Sequence, residues 1–158
     1  YGVTTWFPLL FALTGASIAA ASFINVRLIR RFGTAAVLLR ASLVLTLLAI
    51  CFTWVSAAAT PSLALFQAFL LLLMFTKGLV FANCNALAIQ PQGAIAGFAS
   101  AIVGAITMIT SAAIAQLIGG LYGGQLMPLL VAYSATCAAS CLCVWVSNCK
   151  SVALHRRG

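Results

Sequence analysis

The side chains able to do chemistry in this 158-residue chain are few. There are six cysteines, one histidine (His155), eight lysines and arginines, and no aspartate or glutamate anywhere. Without a carboxylate there is no general acid/base pair, no oxygen cage for calcium or magnesium, and no carboxylate proton relay. Catalysis would rest on Cys, Ser, Tyr and Lys alone, and no spacing groups them, so the chain reads as neither an enzyme nor a cofactor protein. Of Cys51, Cys84, Cys137, Cys141, Cys143 and Cys149, Cys137 and Cys141 stand one helical turn apart. No histidine or acid lies near them in sequence, so they read as small apolar side chains and no metal site is expected.

The polar residues inside apolar surroundings are more telling. Lys77 lies within a long apolar run, about six residues or 9 Å from its polar end. One reading is an anchor that snorkels to the membrane surface. The other is a cavity-facing charge beside a substrate path. Gln67 precedes Lys77 by ten residues, which leaves it about 80° short of three full helical turns. With Phe66 and Phe69, Gln67 reads either as the lining of a pocket for a partly aromatic ligand or as an inter-helix hydrogen bond with packing. Asn83 and Asn85 close the same run and read as a cap and turn.

The elements that must position these residues follow from composition. Hydrophobic residues make up 65% of the chain and charged residues 5%, against ~25% charged for a soluble domain. Eight charges cannot cover a soluble surface of this size, a disordered chain would be polar, and a disulfide-rich secreted domain would be less apolar. An all-α integral membrane protein remains. Five stretches match the roughly 20 apolar residues that a spanning helix needs, at 6–26, 35–56, 62–82, 95–118 and 127–148. A basic tail, 149–158, follows this single bundle of residues 1–148. The runs are too long, and alternate too little, for barrel strands. Pro8 and Pro128 fall in first turns, Pro61 precedes a span and Pro91 sits between spans, all positions that spare span interiors.

Two spans carry rows of small residues. In the fourth, Gly93, Gly97, Ala101 and Ala105 recur every four positions, with Ala96, Ser100 and Gly104 beside them. In the first, Ala12, Ala16 and Ala20 are flanked by Gly15 and Ala19. Such rows let backbones approach closely. They read as bundle packing or as sliding faces between the halves of a transporter.

The basic residues set an orientation. Arg27, Arg30 and Arg31 lie between the first two spans, and Lys150, Arg156 and Arg157 lie in the tail. Arg40 and Lys77 fall inside spans, nearer the same side. The opposite connections, at 57–61 and 119–126, carry no charge. The basic face is therefore expected in the cytoplasm, with the C-terminus inside. The tail charges fit topology and anionic lipid, not nucleic acid. The chain opens at Tyr1 with no signal-peptide pattern. It reads as the C-terminal piece of something longer, or as a processed or incomplete product.

The stretch 83–104, NCNALAIQPQGAIAGFASAIVG, resembles the hallmark region of Bcr/CflA-type drug-efflux transporters of the major facilitator superfamily. Asn83, Ala86, Leu87, Ala88, Pro91, Ala96, Gly97, Ala99, Ser100, Ala101 and Gly104 carry the likeness. The segment 25–33, NVRLIRRFG, is similar to the cytoplasmic loop motif between the family's eighth and ninth helices. Arg27, Arg30, Arg31 and Gly33 are kept, and the motif's acid is missing. The family often has Pro where Ala82 stands, and a small or apolar residue where Lys77 stands. The resemblance implies an incomplete C-terminal half-bundle, family helices eight to twelve, in an inner membrane. It implies proton-driven efflux of small amphipathic substrates, jointly with a missing N-terminal half that carries the coupling acids. It places Phe66, Gln67, Phe69 and Lys77 on a cavity-lining helix, and the first and fourth spans beside the half-to-half interface. An exporter of an amino acid or sugar in the same superfamily, and a non-transporting scaffold or truncated product, are the alternative readings.

Overall fold

The computed structural model describes residues 6–59, 61–120 and 126–155. Within them the chain forms five long helices: α1 Phe7–Phe32, α2 Thr34–Ala58, α3 Leu63–Ile89, α4 Ala96–Gly120 and α5 Leu126–His155. No strand occurs among the described residues. All five helices are long and apolar enough to cross a membrane. Residues 121–125 of the uncharged connection, and Arg156 and Arg157 of the basic tail, lie outside the described residues.

The helices outrun the apolar stretches, and three expectations change with them. The connection expected at 27–34 is almost entirely helical. Arginine and leucine are good helix formers, and Arg30 and Arg31 complement the helix dipole from the last turn of α1. Gly33 alone stops the helix. Its φ of +79° is open to glycine at no cost. Its N–H donates to the Ile29 carbonyl at 2.8 Å, and its own carbonyl accepts from Val37 N–H at 3.1 Å to begin α2. The connection expected at 83–94 is helical through Ile89. It then tightens into a 3-10 turn, Gln90–Ile95, around Pro91, broken at Gly93 with φ +40°. Gly93 therefore stands outside the α4 row to which its spacing assigned it. Last, α5 carries the tail on as helix to His155 instead of ending near 148.

Packing is held by polar contacts between apolar helices. Helix α2 contributes seven buried residues, from Val37 to Phe52, whereas α4 contributes none. Across α2 and α5, Ser42 Oγ donates to Cys141 Sγ at 3.8 Å, Thr46 Oγ1 to the Cys137 carbonyl at 3.1 Å, and Thr53 pairs with Ser134 at 2.8 Å. The sequence separation shrinks from 99 to 91 to 81 residues along this ladder, as antiparallel helices require. Across α1 and α3, Gln67 Nε2 donates to the Leu10 carbonyl at 3.1 Å, Ser17 Oγ to the Leu71 carbonyl at 2.7 Å, and Asn83 Nδ2 to Asn25 Oδ1 at 2.7 Å. Here the separation stays at 57, 54 and 58 residues, so α1 and α3 run parallel. Between the rungs sit two apolar clusters: Leu45, Ala49, Leu73 and Cys137, and Ala21, Ala41 and Leu79. The outward surface is apolar too, with Phe23, Trp54, Met108 and Leu117 each exposed. A helix bundle that is apolar on both its inner and outer faces suits lipid and not water.

Candidate functional site

Helix α3 organises the site. At 100° per residue, Phe66, Leu70, Leu73, Cys84 and Ala88 all lie within about 40° of Lys77 on its surface. This stripe connects two cavities. The first, of about 420 Å³, is bounded by Phe66, Leu70, Leu73 and Met74 of α3, with Phe52 of α2 and Tyr133 of α5. The C-terminal end of α4, at Ala115, Ile118 and Gly119, also borders it. The second, of about 440 Å³, lies farther along α3 between Cys84, Leu87 and Ala88 and the α5 residues Cys143, Val144, Ser147 and Asn148. Lys77 stands on the stripe between them, one turn beyond Leu73 and Met74.

Lys77 sits twelve residues before the end of α3 at Ile89, about 18 Å along the axis. The sequence places it about half as far from a polar end, because the last seven residues of α3 read there as connection. Its side chain is exposed, and among the described residues it makes no hydrogen bond or ion pair.

The other residues singled out with Lys77 point different ways. Phe66 lies on the Lys77 stripe and borders two cavities. Its ring centroid is 5.7 Å from that of Phe52. Gln67 turns toward α1, where it holds the Leu10 carbonyl. It borders a third cavity of about 510 Å³ between α1 and α3, shared with Phe7, Phe11 and Gly15. Phe69 packs on Phe52 at 5.0 Å between centroids. One helix thus spreads these four side chains over a stripe and both its flanks. Tyr133, Met74 and Phe52 complete the first cavity and were not singled out from the sequence. Tyr133 lies one turn before Cys137, and that spacing was the available signal.

Asn83 is a correction. It is no cap but the most deeply buried large side chain, with no exposed surface. Its Nδ2 donates to Asn25 Oδ1 and to the Leu79 carbonyl, each at 2.7 Å, and its Oδ1 has no partner. Helix–helix closeness also falls elsewhere than expected. At Gly78 an added Cβ would meet Ala21 Cβ at 3.1 Å and Ile18 Cγ2 at 3.4 Å, so α1 and α3 touch there through their small residues. At Gly15, Gly97 and Gly104 an added Cβ would meet nothing within 4 Å. Ala19, Ser100 and Ala101 are exposed as well. The two small-residue rows face open space.

At the basic end, the Arg31 and Arg40 guanidiniums lie 5.4 and 4.7 Å from the Phe32 ring centroid, a cation–π arrangement. Arg27 and Arg30 are exposed on the last turns of α1, and Gly33 makes the corner to α2. The six cysteines are free; Cys137 and Cys141 are buried against α2, and no metal-binding group of His, Cys, Asp or Glu forms among the described residues. No family model, no curated protein and no solved structure matches the chain.

Proposed function

We propose that this chain is part of a membrane transporter, the C-terminal portion of a Bcr/CflA-type efflux antiporter of the major facilitator superfamily. The observation that carries the reading is the front of α3. A stripe of Phe66, Leu70 and Leu73 along α3 borders cavities, and one turn farther on the same stripe Lys77 is exposed in the middle of the apolar helix. On either side stand α1 and α4, whose small-residue rows also face open space. A transporter that works by rocking two helical bundles past each other needs such a surface: an open substrate path at mid-membrane, flanked by smooth faces for the second bundle. The likeness of 83–104 and 25–33 to the family's motifs supports the same reading.

In this arrangement a small amphipathic solute enters between the two bundles from an inner membrane, and alternating access moves it outward. This chain has no acid to take and release the coupling proton, so that group belongs to the other half. The buried Asn25–Asn83 pair pins α1 to α3 near the cytoplasmic end, and keeps the cavity helix and the interface helix moving together. The test is a panel of toxic compounds applied to cells that express the complete coding sequence containing these residues. Raised resistance to at least one class, abolished by a Gly97→Leu change that leaves expression intact, is the expected result. Unchanged sensitivity across the panel, with protein in the membrane, would favour export of another solute or a non-transporting scaffold.

A further inference from the structure

We infer that the groove along α3 takes amphipathic anions, with the Lys77 ammonium as the counter-charge and the 420 Å³ cavity beside it as the seat of the apolar body. The inference rests on the transporter reading for its biological sense, but its geometry stands on four observations of its own. The first is charge. Lys77 lies mid-helix in an apolar span, and the chain contains no carboxylate that could neutralise it. An ammonium held at membrane depth needs a counter-anion or water. The second is placement. Phe66, Leu70, Leu73 and Met74 of α3 border the cavity, and Lys77 follows Leu73 and Met74 by one helical turn, about 5–6 Å along the axis, on the same side of the helix. The third is the lining. Phe52, Phe66 and Tyr133 bring three rings to the cavity, which has the size of a drug-like pocket (~300–1,000 Å³). The fourth is exclusion. The arginines are drawn off toward the basic end, Arg31 and Arg40 onto Phe32, which leaves Lys77 as the cation of this groove. A ligand with a carboxylate, sulfonate or phosphate at one end and rings or an alkyl chain at the other satisfies both parts. A lipophilic cation of the same shape would meet an uncompensated like charge.

The probes are 8-anilino-1-naphthalenesulfonate and N-phenyl-1-naphthylamine, which share a ring system and differ by the sulfonate. Saturable binding is measured to the full chain in nanodiscs of uncharged lipid, with empty discs as the blank. The anion should bind about tenfold more tightly than the neutral compound. Lys77→Gln should erase that preference while leaving the neutral probe within about twofold, and Lys77→Arg should restore most of it. Arg40→Gln should change neither, because Arg40 lies away from the groove on Phe32. Met74→Trp, which fills the cavity from a partly buried position, should weaken both probes together. An anion preference that survives Lys77→Gln, or that falls equally with Arg40→Gln, would overturn the assignment and leave general attraction to the basic face. Equal binding of the two probes to the unaltered chain would overturn it as well. The transporter reading fails separately, by absence of efflux, and that result leaves these binding outcomes unchanged.

Discussion

Asn83 shows how much a single polar side chain decides in an apolar bundle. With no exposed surface, its amide N–H groups are compatible with burial only through Asn25 and the Leu79 carbonyl. Asn83→Ala should lower stability in mixed micelles by about 1–3 kcal/mol, since it strands Asn25 Oδ1 and opens a void. Asn25→Ala should cost less, because Asn83 Nδ2 keeps the Leu79 carbonyl. Equal effects would mean the pair is not the unit described. Gly78 makes the matching point for packing. Gly78→Leu drives a branched side chain into Ala21 and Ile18 and should cost about 1–3 kcal/mol by overpacking. Gly97→Leu, in open space, should leave this chain's stability nearly unchanged even where it blocks efflux by the complete protein. Denaturant titration of both variants separates the two roles. Neither residue announced this in the sequence. Asn83 sits in a Pro-bounded polar stretch that resembles a turn, and its partner is 58 residues away. Gly78 stands outside any repeating row, and its neighbours Ala21 and Ile18 belong to another helix. By contrast, Gln67 as an inter-helix donor was one of two readings that its residue type offered.

Among the elements, the cores of the helices were legible and their ends were not. Twenty-residue apolar runs determine where a helix must lie, because lipid forbids an open backbone. Polar residues do not determine where it stops. Arginine is as good a helix former as leucine, Asn25 and Asn83 are held within α1 and α3 by their mutual hydrogen bond, and termination waits for Gly33 and for the Pro91–Gly93 turn. The consequence is functional, since a longer α3 moves Lys77 from near an end to the middle. The α2–α5 ladder was hidden for another reason. Ser42, Thr46 and Thr53 stand four and seven residues apart on α2, and Ser134, Cys137 and Cys141 three and four apart on α5, so each set keeps to one helix face, but single-helix patterns do not say which two helices match. The ladder gives its own prediction. Thr53→Val removes the 2.8 Å bond to Ser134, and in a membrane such a bond contributes about 0.6 kcal/mol. Thr53→Val and Ser134→Ala should therefore be mild alone, and the double variant should cost little more than either single one. Fully additive losses in a double-mutant cycle would show that the hydroxyls do not act as a pair.

At the scale of the molecule, the basic residues other than mid-helix Lys77 fall in two stretches of sequence, 27–40 and 150–157, and the connections at 57–61 and 119–126 carry none. A reporter active only in the cytoplasm should work when fused after Gly158 and fail when inserted between Gly120 and Leu126. Activity from the inner position alone would reverse the orientation. The five-helix membrane bundle was legible from composition and run length, because both follow from the solvent. The open front of α3 was not, since it depends on which neighbours α4 and α1 lack. That open front is also where the central claim is most exposed to experiment. Everted membrane vesicles carrying the complete protein should accumulate a lipophilic substrate when a proton gradient is imposed, and lose it when a protonophore is added. Lys77→Gln should keep this proton dependence while shifting substrate preference away from anions, because no acid in this chain can share a proton with Lys77. Absence of gradient-driven uptake for every compound tested, with the protein correctly inserted, would contradict the account.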